Sequence, residues 1–265
     1  MQSGPESYPL DTAERIGPVP QQRIMEKVDA LMARRDYAGV ERTLRYWLAE
    51  AKAGADLRGE LMIRNELIGH YRKTGEAEKA EESIGEAMRL LQVSGLEDSL
   101  TAATTRVNAG TALNAFGDNE RALTLFEEAR RIMEQSQACA PATLGGLYNN
   151  MGLVLTALGR PGEALDLYEK ALAQMARAPH GSLEQAVTCL NMANAVEAMD
   201  GAEKGETRIN RLLEQAEDLL GSEDLPHDGY YAYVCEKCAP TYEYYGCFLT
   251  AERLRQTAEA IYAGT

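Results

Sequence analysis

The sequence predicts an all-α fold, a right-handed α-α superhelix of about six helix hairpins. Three observations predict it. A pattern of small, apolar and glycine positions recurs at a spacing of 42 residues. On both sides of each recurring glycine the apolar residues fall at helical rather than alternating intervals. Hydrophobic residues make up 45% of the chain, which is too many for a disordered polypeptide.

The repeat is clearest in its two central copies. Residues 105–117 and 147–159 both carry Asn nine positions before the final glycine and a second glycine seven before it. A third copy ends at Gly75, and the spacings from Gly75 to Gly117 and from Gly117 to Gly159 are both 42. Tyr71, Leu113 and Leu155 stand four residues before the glycines. Ala80, Ala122 and Ala164 stand five after, Ile84, Phe126 and Tyr168 nine after, and Ala87, Ala129 and Ala171 twelve after.

Each position has a physical reading. The glycine ends the first helix of a hairpin by taking a positive φ. Pro161 and the acidic Glu76, Asp118 and Glu163 suit the start of the second helix. The small residues Gly110, Gly152, Ala122 and Ala164 let two helices approach, and the larger apolar residues fill the space between hairpins.

Weaker copies flank the clear ones. Upstream, 24–34 and 38–53 form a hairpin around Arg35, Asp36 and Tyr37, without a turn glycine. Downstream, 183–199 reads as a first helix and 206–220 as its second, with a longer turn over 200–205. The last pair is 230–245 and 248–262 around Gly246. The expected repeats are 22–56, 57–96, 97–140, 141–181, 182–224 and 228–265, preceded by a flexible, proline-containing leader over 1–21. Degenerate end copies are expected, since terminal repeats must face water.

The pattern of small residue, apolar residue, turn glycine, Ala, aromatic and Ala resembles the tetratricopeptide repeat family. Gly152, Leu155, Gly159, Ala164, Tyr168 and Ala171 match it, as do Gly110, Leu113, Gly117, Ala122, Phe126 and Ala129. The period of 42 exceeds the ~34 residues of the commonest repeat. Long repeats with paired Asn in the first helix are similar to those of kinesin light chains, LGN-type scaffolds and bacterial peptide-pheromone receptors.

That resemblance implies a non-catalytic protein- or peptide-binding scaffold. A partner's extended segment or helix would lie in a concave groove lined by the first helices. Positions ten, nine, six and three before each turn would face it. Asn108, Thr111 and Asn114 fall there, with Val107, and so do Asn149 and Asn150, with Leu153 and Thr156. Asn191 and Asn194, with Leu190, follow in the fifth repeat, and Asn65 and Arg72 in the second. Asn is a mediocre helix former, so its recurrence in mid-helix needs a reason. A carboxamide can clamp the N–H and C=O of a ligand backbone. The alternative is that these amides bond between neighbouring repeats and order the stack. A second functional reading is a regulator that senses a signalling peptide.

Other chemistry is weakly represented. No phosphate loop, HExxH, nucleophile elbow or dinucleotide fingerprint occurs, so no enzyme activity and no cofactor are expected. Cys235 and Cys238, with Cys247 and His227, offer a metal or redox alternative, but a second tight ligand pair is missing. Small apolar packing explains these cysteines as well, and no metal site is assigned. Lys and Arg number 27 against 41 Asp and Glu, a formal charge of −14, which argues against nucleic acid and membrane surfaces as partners. No basic, apolar signal segment is present and the five cysteines are irregularly spaced, so a reducing, cytoplasmic location is expected. Tyr230, Tyr231, Tyr233, Tyr242, Tyr244 and Tyr245 crowd the last first-helix. Core packing accounts for some of them, and a contact or dimer surface in the terminal repeats is the other use.

Overall fold

The computed structural model describes residues 18–179, 181–222 and 225–264. Among them there are twelve helices and no strand. The helices fall into two compact units divided after Glu97. The first unit holds α1 (Gln21–Ala33), α2 (Tyr37–Ala53), α3 (Leu57–Thr74) and α4 (Ala77–Val93). The second holds α5 (Leu100–Ala115), α6 (Asn119–Gln135), α7 (Pro141–Ala157), α8 (Pro161–Met175), α9 (Ser182–Asp200), α10 (Ala202–Leu220), α11 (Gly229–Tyr244) and α12 (Phe248–Gly264). Within each unit, consecutive odd and even helices pack as hairpins.

The hairpin turns share one device. Gly75, Gly117, Gly159 and Gly246 have φ of 77°, 87°, 74° and 80°, in the left-handed region. The next residue's N–H then reaches back to the carbonyl of the residue four before the glycine. Glu76 bonds Tyr71 at 2.9 Å, Asp118 bonds Leu113 at 2.9 Å, Arg160 bonds Leu155 at 2.8 Å and Cys247 bonds Tyr242 at 2.8 Å. This six-to-one closure satisfies a carbonyl that the helix end would otherwise orphan. The first hairpin makes the same bond, Asp36 N–H to Leu31 O at 3.0 Å, with Arg35 holding the positive φ of 56°. The conformation is thus kept where the glycine is not.

Helix starts are capped by side chains. Asp36 accepts from the Gly39 N–H at 2.8 Å, Asp56 from Gly59 at 2.9 Å, and Ser99 from Ala102 at 3.1 Å. The second carboxylate oxygen of Asp56 also accepts the Val19 N–H at 3.0 Å, and Val19 is buried. Packing therefore begins inside the expected leader. Residues 1–17 of that leader lie outside the described residues.

One turn differs from its expectation. The fifth hairpin was expected to carry a long turn over 200–205, but α9 runs to Asp200 and α10 starts at Ala202. Gly201 alone makes the turn, at φ 80° and ψ 159°. Gly205 is instead a buried residue of α10. A Cβ on it would lie 3.0 Å from Val196 Cγ1, so the glycine serves close helix approach rather than chain reversal.

The small residues of the central repeats do the same. A Cβ on Gly110 would come within 2.6 Å of the Phe126 ring, and one on Gly152 within 2.4 Å of the Tyr168 ring. Phe126, Tyr168, Ala122, Ala129, Ala164 and Ala171 are all fully buried. The Tyr168 hydroxyl is buried among them beside the Thr156 side chain, with no partner at good hydrogen-bond geometry, and burial pushes its pKa well above the ordinary tyrosine value. An orphaned buried hydroxyl costs ~1–3 kcal/mol. Tyr168→Phe should therefore raise the urea midpoint of unfolding, by about 1 kcal/mol of stability. A lower midpoint would mean that the hydroxyl has a partner after all.

Candidate interaction surface

The site develops where first helices meet. In the second unit α7 packs against α5 and α9, and α9 against α11. Polar side chains run along these contacts. The Asn150 amide N–H donates to Thr111 Oγ1 at 3.4 Å, joining α7 to α5. Asn191 donates to Asn149 Oδ1 at 3.0 Å, and Thr188 Oγ1 lies 3.2 Å from the same oxygen, joining α9 to α7. From α11, the Tyr245 hydroxyl donates to Glu197 Oε2 at 2.9 Å and lies 3.0 Å from the Asn194 carboxamide. Tyr244 donates to Glu197 Oε1 at 2.9 Å, and Tyr230 donates to Glu184. The result is a polar seam that links successive repeats.

The expected groove residues divide along this seam. Asn149 is buried at 9% exposure, and its carbonyl oxygen accepts from Asn191 and touches Thr188 Oγ1 on α9. Its side chain faces the neighbouring repeat. Asn114 is half-buried and donates to Asn119 Oδ1 at 2.8 Å, across its own hairpin turn. Asn108, Thr111, Asn150 and Asn191 are half-buried, and Asn194 is exposed. In the first unit, Asn65 donates to the Leu61 carbonyl of its own helix at 3.0 Å, and Arg72 is exposed.

Apolar groups accompany the seam. Leu153 on α7 is 38% exposed. On α11 the tyrosines separate by face. Tyr231 and Tyr242 are buried and donate to the Leu220 and Leu213 carbonyls, at 3.0 Å each. Tyr230, Tyr233 and Tyr244 are exposed, with the Tyr230 and Tyr233 rings stacked and Lys237 over the Tyr233 ring. Buried and exposed tyrosines thus share one helix. Burial raises the carboxyl pKa of Glu184, which lies beneath Tyr230.

The cysteine cluster behaves as packing. Cys235 and Cys238 are buried and Cys247 is partly so. Burial pushes the Cys235 thiol up and that of Cys238 to about 12, so both stay protonated at neutral pH. His227 stacks on the Tyr231 ring, with centroids 4.3 Å apart.

A charged cluster in the first unit carried no sequence signal. Lys79 bonds Glu41 at 2.9 Å and also Glu76, and the Tyr71 hydroxyl donates to Glu41 at 3.2 Å. The Lys79 ammonium holds the Glu41 carboxyl below the usual carboxylate range. The buried His70 ring lies beside both carboxylates, and burial lowers its pKa.

Paired antiparallel helices, five of the six described hairpins sharing one turn closure, and interlocked first helices define a helix-hairpin repeat protein. Residues 60–135 and 145–173 match family models of the tetratricopeptide repeat. These two stretches are thus tetratricopeptide repeats. Its fold is similar to that of BtubC (BKLC) from P. vanneervenii, with a TM-score of 0.66 at 22% identity over 77% of this chain and 83% of that one. It is also similar to a putative kinesin light chain of Podosopora anserina with TPR-like repeats. There the TM-score is 0.53 at 19% identity, over 76% of this chain and 94% of that one. The Pseudomonas aeruginosa pilF protein gives 0.54 at 17% identity, over 92% and 93%. At such identities the likeness is one of fold. No curated protein matches the chain. No helix among the described residues is long and apolar enough to cross a membrane.

Proposed function

We propose that the protein is a non-catalytic scaffold that binds a polypeptide segment along the first helices of its second unit. Tetratricopeptide repeats generally serve protein interaction, and the family supports that coarser role. The observation that carries the finer reading is the half-exposed carboxamides of Asn150 and Asn191 beside the exposed Leu153. Each carboxamide commits one N–H to the seam. Its carbonyl oxygen and second N–H remain for a partner's backbone. Asn108, Thr111 and Asn194 extend the polar line, and the exposed tyrosines of α11 add apolar area with hydroxyl tips suited to interfaces. Buried Asn149 and turn-bound Asn114 are left out of this binding set.

The test uses peptides selected against the wild-type protein by display. Asn150→Ala should weaken a selected peptide roughly two- to tenfold, the worth of one neutral hydrogen bond. Its thermal midpoint should barely move, because the contact to Thr111 is long and half-exposed. Full affinity in the Asn108→Ala/Asn150→Ala/Asn191→Ala variant would place the binding surface elsewhere.

A further inference from the structure

A second surface lies in the first unit. Helices α2 and α4 flank an open cleft of about 450 Å³ whose floor is α3. In a chain where carboxylates outnumber cations 41 to 27, four cations line this cleft: Arg45, Lys52, Arg64 and Lys79. Glu82 is the one carboxylate among the lining residues.

Arg64 is the centre of the inference. It is 3% exposed, and its Nε makes no hydrogen bond. Its nearest carboxylate oxygens stand beyond hydrogen-bond length, Glu60 at 3.7 Å and Glu82 at 3.8 Å. The rim cations are held just as loosely, Arg45 at 3.6 Å from Glu41 and Lys52 at 3.9 Å from Glu60. Charges are balanced at a distance while a buried guanidinium donor goes unmet. Only Lys79 is tightly engaged, with Glu41 and Glu76.

We propose that this cleft binds a phosphate monoester, with Arg64 donating to the phosphate oxygens and Arg45 and Lys52 closing over it. A carboxylate ligand brings one charge and gains little over Glu60 and Glu82, which are already beside Arg64. A phosphate monoester brings a charge of about −1.5 to −2 with three acceptor oxygens. The planar guanidinium fork matches that geometry. Leu48, Leu67 and Tyr71 give the cleft an apolar wall against which the group bearing the phosphate can pack. The ester could come from a phosphorylated side chain of a protein partner or from a small metabolite. The inference does not rest on the peptide-binding role of the second unit.

The test is calorimetric titration of the full chain, in low-salt buffer without phosphate. The probes are inorganic phosphate, adenosine monophosphate, a phosphoserine pentapeptide and its glutamate counterpart. A phosphate ester should bind with 1:1 stoichiometry, and the glutamate peptide at least about tenfold more weakly. Arg64→Met should cost about tenfold or more in affinity, the worth of a charge-assisted hydrogen bond. The Arg45→Met/Lys52→Met variant alters side chains that are 66% and 50% exposed. It therefore decides the question even if Arg64→Met fails to fold, and should weaken binding several-fold. Preference for the phosphopeptide assigns the site to a protein partner, and preference for adenosine monophosphate to a metabolite. No saturable binding by any phosphate, or equal affinity in the wild type and both variants, would overturn the proposal.

Discussion

Gly152→Leu is expected to destabilise the second unit by about 1–3 kcal/mol or more, the cost of overpacking a closed contact. The cause is local. The added Cβ would stand 2.4 Å from Tyr168 Cε1 and 2.6 Å from Cζ. The ring cannot swing away, because Tyr168 is fully buried. Helices α7 and α8 must therefore separate, and the alanines that pack between them lose their contacts. Urea unfolding should show a lower midpoint with an unchanged slope. Gly146 on the same helix supplies the control. A Cβ there meets nothing within 4 Å, so Gly146→Ala should stabilise by roughly 0.5–1 kcal/mol through helix propensity alone. If both substitutions behaved alike, the close approach at Gly152 would not be what holds this hairpin together.

Asn149→Ala is expected to cost about 1–3 kcal/mol and to leave peptide affinity unchanged. The substitution removes the oxygen that accepts from Asn191 and that Thr188 Oγ1 approaches at 3.2 Å. Thr188 keeps its bond to the Glu184 carbonyl at 2.8 Å, so the loss falls mainly on Asn191 and on the space left between repeats. A double-mutant cycle with Asn191→Ala should therefore show a coupling energy of at least ~0.5 kcal/mol. Strict additivity would mean that the two amides do not act together. Set beside Asn150→Ala, the pair separates two roles for adjacent asparagines: one variant moves stability and the other moves binding.

That contrast shows where the sequence was legible. Turn glycines, close-approach glycines and interior alanines obey a fixed spacing, because each answers a constraint within one hairpin. Asn149 and Asn150 both fit a groove by that spacing. Their separation depends on which side chains the next repeat brings opposite, and those stand 39 and 42 residues away from their partners. Gly201 and Gly205 raised a similar ambiguity. Both fall within the expected turn over 200–205, and the contact of Gly205 with Val196 places it in the helix instead. The cationic cleft had no motif at all, since its members come from three helices. One trace of it was readable. Arg64 stands on α3 between Leu61, Leu67 and Tyr71 at helical intervals, a charged residue on an apolar stripe.

The bond from the Val19 N–H to Asp56 has a consequence for how the first unit comes apart. End hairpins of a stacked array have one neighbour instead of two and open first. Here the chain preceding α1 returns to the start of α3, closing a non-covalent ring around the α1–α2 hairpin across 37 residues of sequence. The hairpin is pinned at both its entrance and its exit. Asp56 serves as clasp and helix cap at once, so opening the ring also loosens the first turn of α3. Fraying at this end is thereby converted from a gradual event into a concerted one, in which the Val19 and Gly59 amides lose their protection from hydrogen exchange together.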